Sequence, residues 1–374
     1  MLQSHGTGES DTRMHIGMLL PSVFSIDNPG NGIAEQARQQ ADGLERLGHT
    51  VVRLNPWQWQ NEHEFDVLHV YLGGLALHHI THDRQLRKPG LLVFSPIIDS
   101  NQANFSYRTA ALLGRLSSRV FTVPGSLRDQ ARGSHLVVCR SRHERERITR
   151  GLGVAIEKTE IVLNGCHPVS NISVDIPRIR RELDLPAEFL LHISAYTQPR
   201  KNVLRLVEAA KQLGYPLVIA GRSTPGGILH CLERESHKNK SLRLLGFVDS
   251  ATKNALYAMC KVFCLPSIHE GTGLVALEAG AHGANLVITK NGGPPDYFLE
   301  HADFVNPTNV NSIKEAIRSA WNKPRNSPLQ QHINDTLTWD QSSRALEQAY
   351  RRHLSKLNRT ATKARQPNEM EYAS

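Results

Sequence analysis

Short apolar runs alternate with helix-spaced segments along nearly the whole chain, in two successive series. In the first, strand-like runs fall at Ile16–Leu20, His49–Leu54, Val67–Tyr71, Leu91–Phe94, Arg119–Val123 and Leu136–Cys139. Between the first two, Ile33, Ala37, Ala41, Leu44 and Leu47 keep helical spacing, and Gly48 supplies a C-terminal cap. In the second, the runs are Leu190–Ile193, Pro216–Ala220, Leu242–Gly246, Val262–Leu265 and Ala284–Thr289, with helices at Val203–Leu213 and Ala251–Met259. Such alternation specifies an α/β fold in which parallel sheets are covered by helices on both faces. Two series within 374 residues imply two Rossmann-like domains, each with its own core.

Apolar periodicity lapses around Val169–Pro177, which sets the expected domains at 14–170 and 171–338. A separate helix follows Trp339 over Asp340–Leu357, so 339–357 is read as a distinct closing element. The polar ends, 1–13 and 358–374, read as disordered, and an orderly domain can begin at Met14.

Composition narrows the function classes. Mean hydropathy is −0.36 and no apolar run is long enough to cross a bilayer. The N-terminal stretch lacks the apolar centre of a signal peptide. The five cysteines, Cys139, Cys166, Cys231, Cys260 and Cys264, show no zinc spacing and fit free thiols in a reducing cytoplasm. His78, His79 and His82 beside Asp83 match no zinc pattern and read as surface or helix histidines. Net charge is +9, with Arg115, Arg119, Arg128, Arg132, Arg140, Arg142, Arg145, Arg147 and Arg150 crowded into one part of the first half. That surface suits an anionic membrane or other polyanion as well as it suits a plain solvated face. No nucleic-acid-binding motif accompanies it.

In open α/β sheets ligands bind beyond the C-terminal ends of the strands. Four loops fall there: Asn28–Gly32, Ser194–Asn202, Ser267–Gly273 and Asn291–Pro295. The third belongs to the stretch Ser267-Ile-His-Glu-Gly-Thr-Gly-Leu-Val-Ala-Leu-Glu-Ala-Gly280. Gly271 and Gly273 permit a tight turn and close approach to a ligand. The helix behind them offers N–H groups to an anion. Glu278, four residues after Leu274, is expected to share that residue's apolar face, where a carboxylate is costly unless satisfied. Phosphates and hydroxyls in one ligand, as in a sugar nucleotide, fit this arrangement. Two glutamates and two glycines alone would equally fit a helix-dipole charge and a structural ion pair.

The run Pro266-Ser-Ile-His-Glu270-Gly-Thr-Gly-Leu-Val-Ala-Leu-Glu278-Ala279 resembles the Glu-x7-Glu element of retaining glycosyltransferases of the GT-B fold, family 4, also called group 1. Pro199-Arg200-Lys201-Asn202 looks like the basic loop of that family, Val162-Leu163-Asn164-Gly165 like its domain join, and Trp339-Asp340 like the start of the helix that crosses back to the first domain. The resemblance is clearest over 190–300 and continuous over 14–350. It implies two domains facing across a cleft and transfer of a hexose from a sugar nucleotide to an acceptor hydroxyl with retention. Arg200 and Lys201 would then neutralise the leaving diphosphate, and Glu270 would hold the donor sugar. Gly271, Thr272, Gly273 and Leu274 would meet the phosphate, and Glu278 the ribose. Gly246, Phe247 and Val248, with Gly221 and Arg222 nearby, would lie at the base. Gly30, Asn31 and Gly32 would form the acceptor-side glycine loop, with Asp99 beside it; a plain turn is an equal reading of those glycines.

The implied partners are a sugar-nucleotide donor as substrate, and a lipid-linked or oligosaccharide acceptor on the cytoplasmic face of a membrane. Neither cofactor nor metal is implied, and the chain has no Asp-x-Asp triplet. Two positions depart from the family. Tyr196 stands where many relatives carry an arginine, and Phe94–Asp99 lacks their first-domain histidine, leaving Ser95 or Asp99 in its place. These departures keep open a sugar-nucleotide-binding subunit without activity; an epimerase on the same fold is the other alternative.

Overall fold

The computed structural model describes residues 13–21, 32–54, 65–75, 77–79, 81, 90–100, 102–113, 122–169 and 175–365. The first domain contains β1 (His15–Leu19), α1 (Gly32–Arg46), β2 (Thr50–Leu54), β3 (Val67–Tyr71), β4 (Leu91–Ser95), α2 (Asn104–Leu113), α3 (Val123–Gly133), β5 (Leu136–Cys139), α4 (Arg142–Glu146) and β6 (Thr159–Ile161). Its six strands are parallel, in the order β2-β1-β3-β4-β5-β6. Every residue of β3, β4 and β5 is buried, as expected for strands packed on both faces.

The second domain contains α5 (Ile176–Glu182), β7 (Leu190–Ile193), α6 (Val203–Leu213), β8 (Leu217–Ala220), α7 (Gly227–Lys238), β9 (Leu242–Gly246), α8 (Ser250–Met259), β10 (Val262–Leu265), α9 (Leu274–Ala281), β11 (Asn285–Thr289), α10 (Pro294–Phe298), β12 (Asp303–Val305), α11 (Val310–Asn322) and α12 (Ser327–Thr336). This sheet is also six-stranded and parallel, in the order β12-β11-β10-β7-β8-β9. In α6 the buried Val203, Leu206, Val207 and Ala210 form one apolar stripe, and Gly214 closes the helix in the left-handed region.

Local chemistry overrode the pattern in several places. Val123 does not end a strand. It opens α3, where Thr122 Oγ1 accepts from Gly125 N at 3.1 Å and Pro124 fits the first turn. Residues 119–121 lie outside the described residues. The three-residue strands β6 and β12 are too short to carry a periodic signal. The tail is helical well past Leu357: α13 (Trp339–Arg365) includes residues expected to be disordered.

That last helix joins the domains. Its Leu346, Ala349 and Tyr350 are buried in the core of the first domain. Glu347 Oε1 lies 3.0 Å from His49 Nε2, and Asp340 pairs with Arg46 at 2.7 Å. Ser343 packs directly on Gly43, where an added Cβ would stand 2.0 Å from its Oγ. The same cover buries Gln40, whose Nε2 donates to Ser342 Oγ at 3.3 Å. The two segments crossing between domains run side by side, with Cys166 bridged to Thr338.

Candidate active site

The loops after β7 and β10 are tied to each other by backbone and amide bonds. A short 3-10 turn, Pro199–Lys201, ends at Asn202, which is left-handed at φ 60°. Asn202 Nδ2 donates to the carbonyls of Pro266 at 2.9 Å and Pro307 at 2.6 Å, and Ile268 N donates to Arg200 O at 2.8 Å. These bonds fix Lys201, which is 8% exposed, against Glu270, which is 5% exposed. Lys201 Nζ donates to Glu270 Oε1, and Ser267 Oγ donates to the same oxygen at 2.7 Å. Arg200 Nη1 lies 3.9 Å from that oxygen, on a half-exposed side chain. Beneath them the His192 ring is held between Cys264 O and Ser194 Oγ, at 2.8 and 2.7 Å, and burial pushes its pKa down to about 4.

Glu278 shares the face of Leu274, as its spacing implied, but that face is not the buried one. On α9 the buried residues are Ala276, Leu277, Ala279, Gly280 and Ala281, whereas Leu274, Val275 and Glu278 share a partly exposed face. Glu278 Oε2 already accepts from Tyr257 OH at 2.8 Å and pairs with Lys253 at 2.9 Å. Its carboxylate therefore needs no ligand to be stable, and the deeply buried carboxylate of the motif is Glu270.

Thr272 is buried in a hydrogen-bonded network between the domains. It donates to Tyr297 OH at 3.2 Å and accepts from Asn164 Nδ2 at 3.2 Å. Tyr297 OH donates to Arg140 O at 2.8 Å, and Asn164 Nδ2 reaches Gln36 Oε1 at 3.2 Å. Gly271 lies against the first domain so closely that a Cβ there would stand 2.3 Å from Asp99 Oδ1 and 2.7 Å from Arg140 Nη1. Gly273, at φ 82°, forms the N-cap of α9. Across the gap, Gly32 at the start of α1 faces Leu274; an added Cβ would touch its Cδ1 at 3.5 Å. Gly30 and Asn31 lie outside the described residues.

At the outer edge Gly221 N donates to Gly246 O at 2.7 Å, which brings the ends of β8 and β9 together. The Arg222 guanidinium sits 5.8 Å from the centre of the Phe247 ring, and that ring is 67% exposed. Val248 packs on the second-domain core. The structure thus assembles Arg200, Lys201, Glu270 and Gly271–Leu274 at one end of the second sheet, with Gly32 and Asp99 opposite. Gly221, Arg222 and Gly246–Val248 form a neighbouring edge.

Several interface residues escaped the sequence reading. Arg140, 6% exposed, pairs with Asp99 and Glu144, each at 2.9 Å. Burial would raise the Asp99 carboxyl, but the Arg140 charge and hydrogen bond hold it below its ordinary value. His269 Nε2 lies 3.4 Å from His143 Nε2 of the first domain, and burial pushes the His269 pKa down to about 4. The arginine cluster was visible in the sequence, but nothing there separates buried from solvated members. Tyr196, in the place of a family arginine, is 2% exposed and lies in the second-domain core. His69, on β3, is wedged between Ser95 Oγ and Tyr350 OH, at 2.7 and 2.6 Å. Among the described residues, no group of three or more His, Cys, Asp or Glu could hold a metal ion, and no helix is long and apolar enough to cross a membrane.

Comparison with known proteins places this geometry. Residues 175–336 match the family described as Glycosyl transferases group 1. Serotype-specific mannosyltransferase WbdA of Escherichia coli is 32% identical over 154 residues, which are 39% of this chain and 19% of that protein. Glycogen synthase of Mycobacterium tuberculosis is 28% identical over 253 residues, 63% of this chain and 58% of that protein. The chain therefore spans less than two thirds of the length of these relatives. Among solved structures, sucrose-phosphate synthase from Thermosynechococcus elongatus superposes with a TM-score of 0.70 at 16% identity, covering 92% of this chain and all of that one. Anabaena HepE in complex with UDP does so with a TM-score of 0.61 at 18% identity, covering 94% and 99%. The chain has the GT-B fold, and its residues 175–336 match the group 1 glycosyl transferase family.

Proposed function

We propose that this protein transfers a hexose from a sugar nucleotide to an acceptor hydroxyl with retention of configuration. The observation that carries the reading is the buried Lys201–Glu270 pair, braced by Ser267, beside Arg200 and the first turn of α9. An ammonium has three N–H groups, and Glu270 uses one, so Lys201 keeps donors for a diphosphate. Arg200 adds a planar fork, and the first N–H groups of α9 have no intrahelical partner. Together they stabilise charge developing on the departing diphosphate. In this reading Glu270 orients the donor sugar, Glu278 binds the ribose from its partly exposed position, and Phe247 offers a face to the base. Same-face attack then proceeds with the leaving phosphate assisting proton removal, and no metal is required.

The mannosyltransferase and glycogen synthase relatives support a hexosyl donor and a saccharide acceptor, and the UDP complex of the Anabaena protein supports a nucleotide ligand. Assembly of cell-surface polysaccharide or glycolipid at the cytoplasmic face of a membrane fits the basic first domain. The test is a thermal-shift screen of UDP-, GDP- and ADP-sugars, since a true donor stabilises the folded chain. NMR of the product's anomeric configuration follows, with and without EDTA. An inverted product, loss of activity in EDTA, or no stabilisation by any donor each removes the corresponding part of the reading. Conversion of donor without acceptor would mark an epimerase, and binding without transfer a silent subunit.

A further inference from the structure

Arg147 begins a short π-helical turn, Arg147–Gly151, directly after α4. Three of its basic neighbours are matched by carboxylates: Arg140 by Asp99 and Glu144, Arg142 by Asp296 at 2.6 Å, and Arg150 by Glu146 at 2.5 Å. Arg147 is 3% exposed, yet among the described residues no carboxylate pairs with it. Its Nε and Nη1 are buried without a hydrogen-bond partner. Its guanidinium rests 4.9 Å from the centre of the Tyr107 ring, and its Nη2 makes only a long contact, 3.4 Å, to His143 Nε2. An unpaired buried charge is expensive, so its presence calls for a counter-charge.

The same nitrogen of His143 lies 3.4 Å from His269 Nε2. Arginine can only donate, so His143 Nε2 is an acceptor, and His269 Nε2 must also be a donor. That leaves His269 Nδ1 with a bare lone pair, buried and unpartnered. Two opposite needs therefore meet at one interface: Arg147 lacks an acceptor, and His269 lacks a donor. His269 immediately precedes Glu270, so the place is next to the reacting centre of the reading above. His143, partly exposed, links the two through long contacts to Arg147 Nη2 and His269 Nε2.

We propose that Arg147, His143 and His269 form a subsite for an acceptor that carries both a phosphate group and hydroxyls. This inference rests on the glycosyl-transfer reading. Arg147 takes the phosphate oxygens, using the guanidinium fork once Nη2 leaves His143, and His269 Nδ1 accepts from a hydroxyl.

The test uses the full chain with a nucleoside diphosphate present to fill the donor site, at constant ionic strength. Binding of inorganic phosphate, glycerol 3-phosphate and glycerol is measured by calorimetry. The wild type should bind both phosphates and not glycerol. Arg147→Gln should weaken phosphate binding by about 10-fold or more and leave the nucleotide affinity within about twofold, because one charged hydrogen-bond partner is lost. His143→Gln, at a partly exposed position, keeps the measurement available if the Arg147 variant does not fold, and should weaken phosphate several-fold. Phosphate binding unchanged in these variants, or absent from a wild type that binds nucleotide, overturns the subsite and leaves the transfer reading standing. Failure of every nucleotide to bind removes the transfer reading without touching the phosphate result. Vesicles of phosphatidylcholine with and without phosphatidic acid identify the source. Arg147-dependent co-sedimentation with phosphatidic acid assigns a lipid headgroup, and binding of glycerol 3-phosphate alone assigns a soluble acceptor.

Discussion

The two sides of the cleft treat their buried polar groups differently. On the second-domain side, Lys201, Glu270 and Ser267 satisfy one another, and Glu278 is held by Tyr257 and Lys253. On the first-domain side, Arg140 is paired, but Arg147 Nε and Nη1 and Gln36 Nε2 have no partner. Both domains are six-stranded parallel sheets, so the difference is not one of architecture. It shows that the buried charges of one side are matched within the protein, while the other keeps unmet donors. A self-satisfied site is preorganised for one ligand. Unmet buried donors hold an energetic cost that a ligand can relieve.

The largest effect should come from breaking the matched pair. Lys201→Met leaves Glu270 buried without its partner, so unfolding in urea should show a loss of about 3–5 kcal/mol. Transfer should fall by at least about 100-fold. The double variant Lys201→Met/Glu270→Leu should regain most of the stability and none of the activity. A single variant as stable as the wild type would end the claim that this side is self-satisfied.

Acid comes next. His69, His192 and His269 are held neutral by burial, at about 3, 4 and 4. The unfolded chain takes up these protons below about pH 6.5, and the folded chain does so only near the depressed values. Their contribution is therefore full above about pH 6.5 and is lost as pH falls toward 4, by an amount on the order of a few kcal/mol in total. Urea midpoints at pH 7 and pH 5 measure this. His69→Gln in the first domain and His192→Gln in the second show which side yields first, and equal acid sensitivity in all three proteins would contradict the assignment.

Gly271→Ala strikes the contact between the sides, forcing Asp99 and Arg140 back from the new methyl group. Such overpacking costs about 1–3 kcal/mol. Nucleotide affinity should stay within about twofold while transfer drops, by about 10-fold if only closure suffers. Unchanged turnover would mean that the two sides need not touch. The smallest stability effect belongs to Glu278→Gln, within about 1 kcal/mol because the pair with Lys253 is partly exposed. Its nucleotide affinity should nonetheless fall by about 10-fold. The reverse pattern, lower stability with intact binding, would make Glu278 structural.

Much of the second domain was legible because its signals are local. The helix Val203–Leu213 and strand Val262–Leu265 match the observed bounds, since each carries an unbroken apolar pattern between strong terminators. The motif from Ser267 to Gly280 holds its residues within one loop and one helix, so sequence proximity is spatial proximity. Glu278 was misplaced for a physical reason: spacing gives the face of a helix, but only the packing of α9 against α8 and α12 tells which face is buried. Gln40 looks solvent-facing until α13 covers it. Asn164, Tyr297, His143 and His269 meet only through the domain interface, and no pattern along the chain foretells it.

The sequence by itself determined the alternation of strands and helices, the split into two domains and the chemistry of the second-domain loop, because periodicity, turn residues and contiguous motifs act over a few residues. Only the tertiary structure decided which charges are matched. Whether Glu270 finds Lys201, Arg140 finds Asp99, or Arg147 finds no carboxylate depends on partners 41 to 69 residues apart or on none at all. Burial then turns each of those meetings into stability, and each omission into a demand on a ligand.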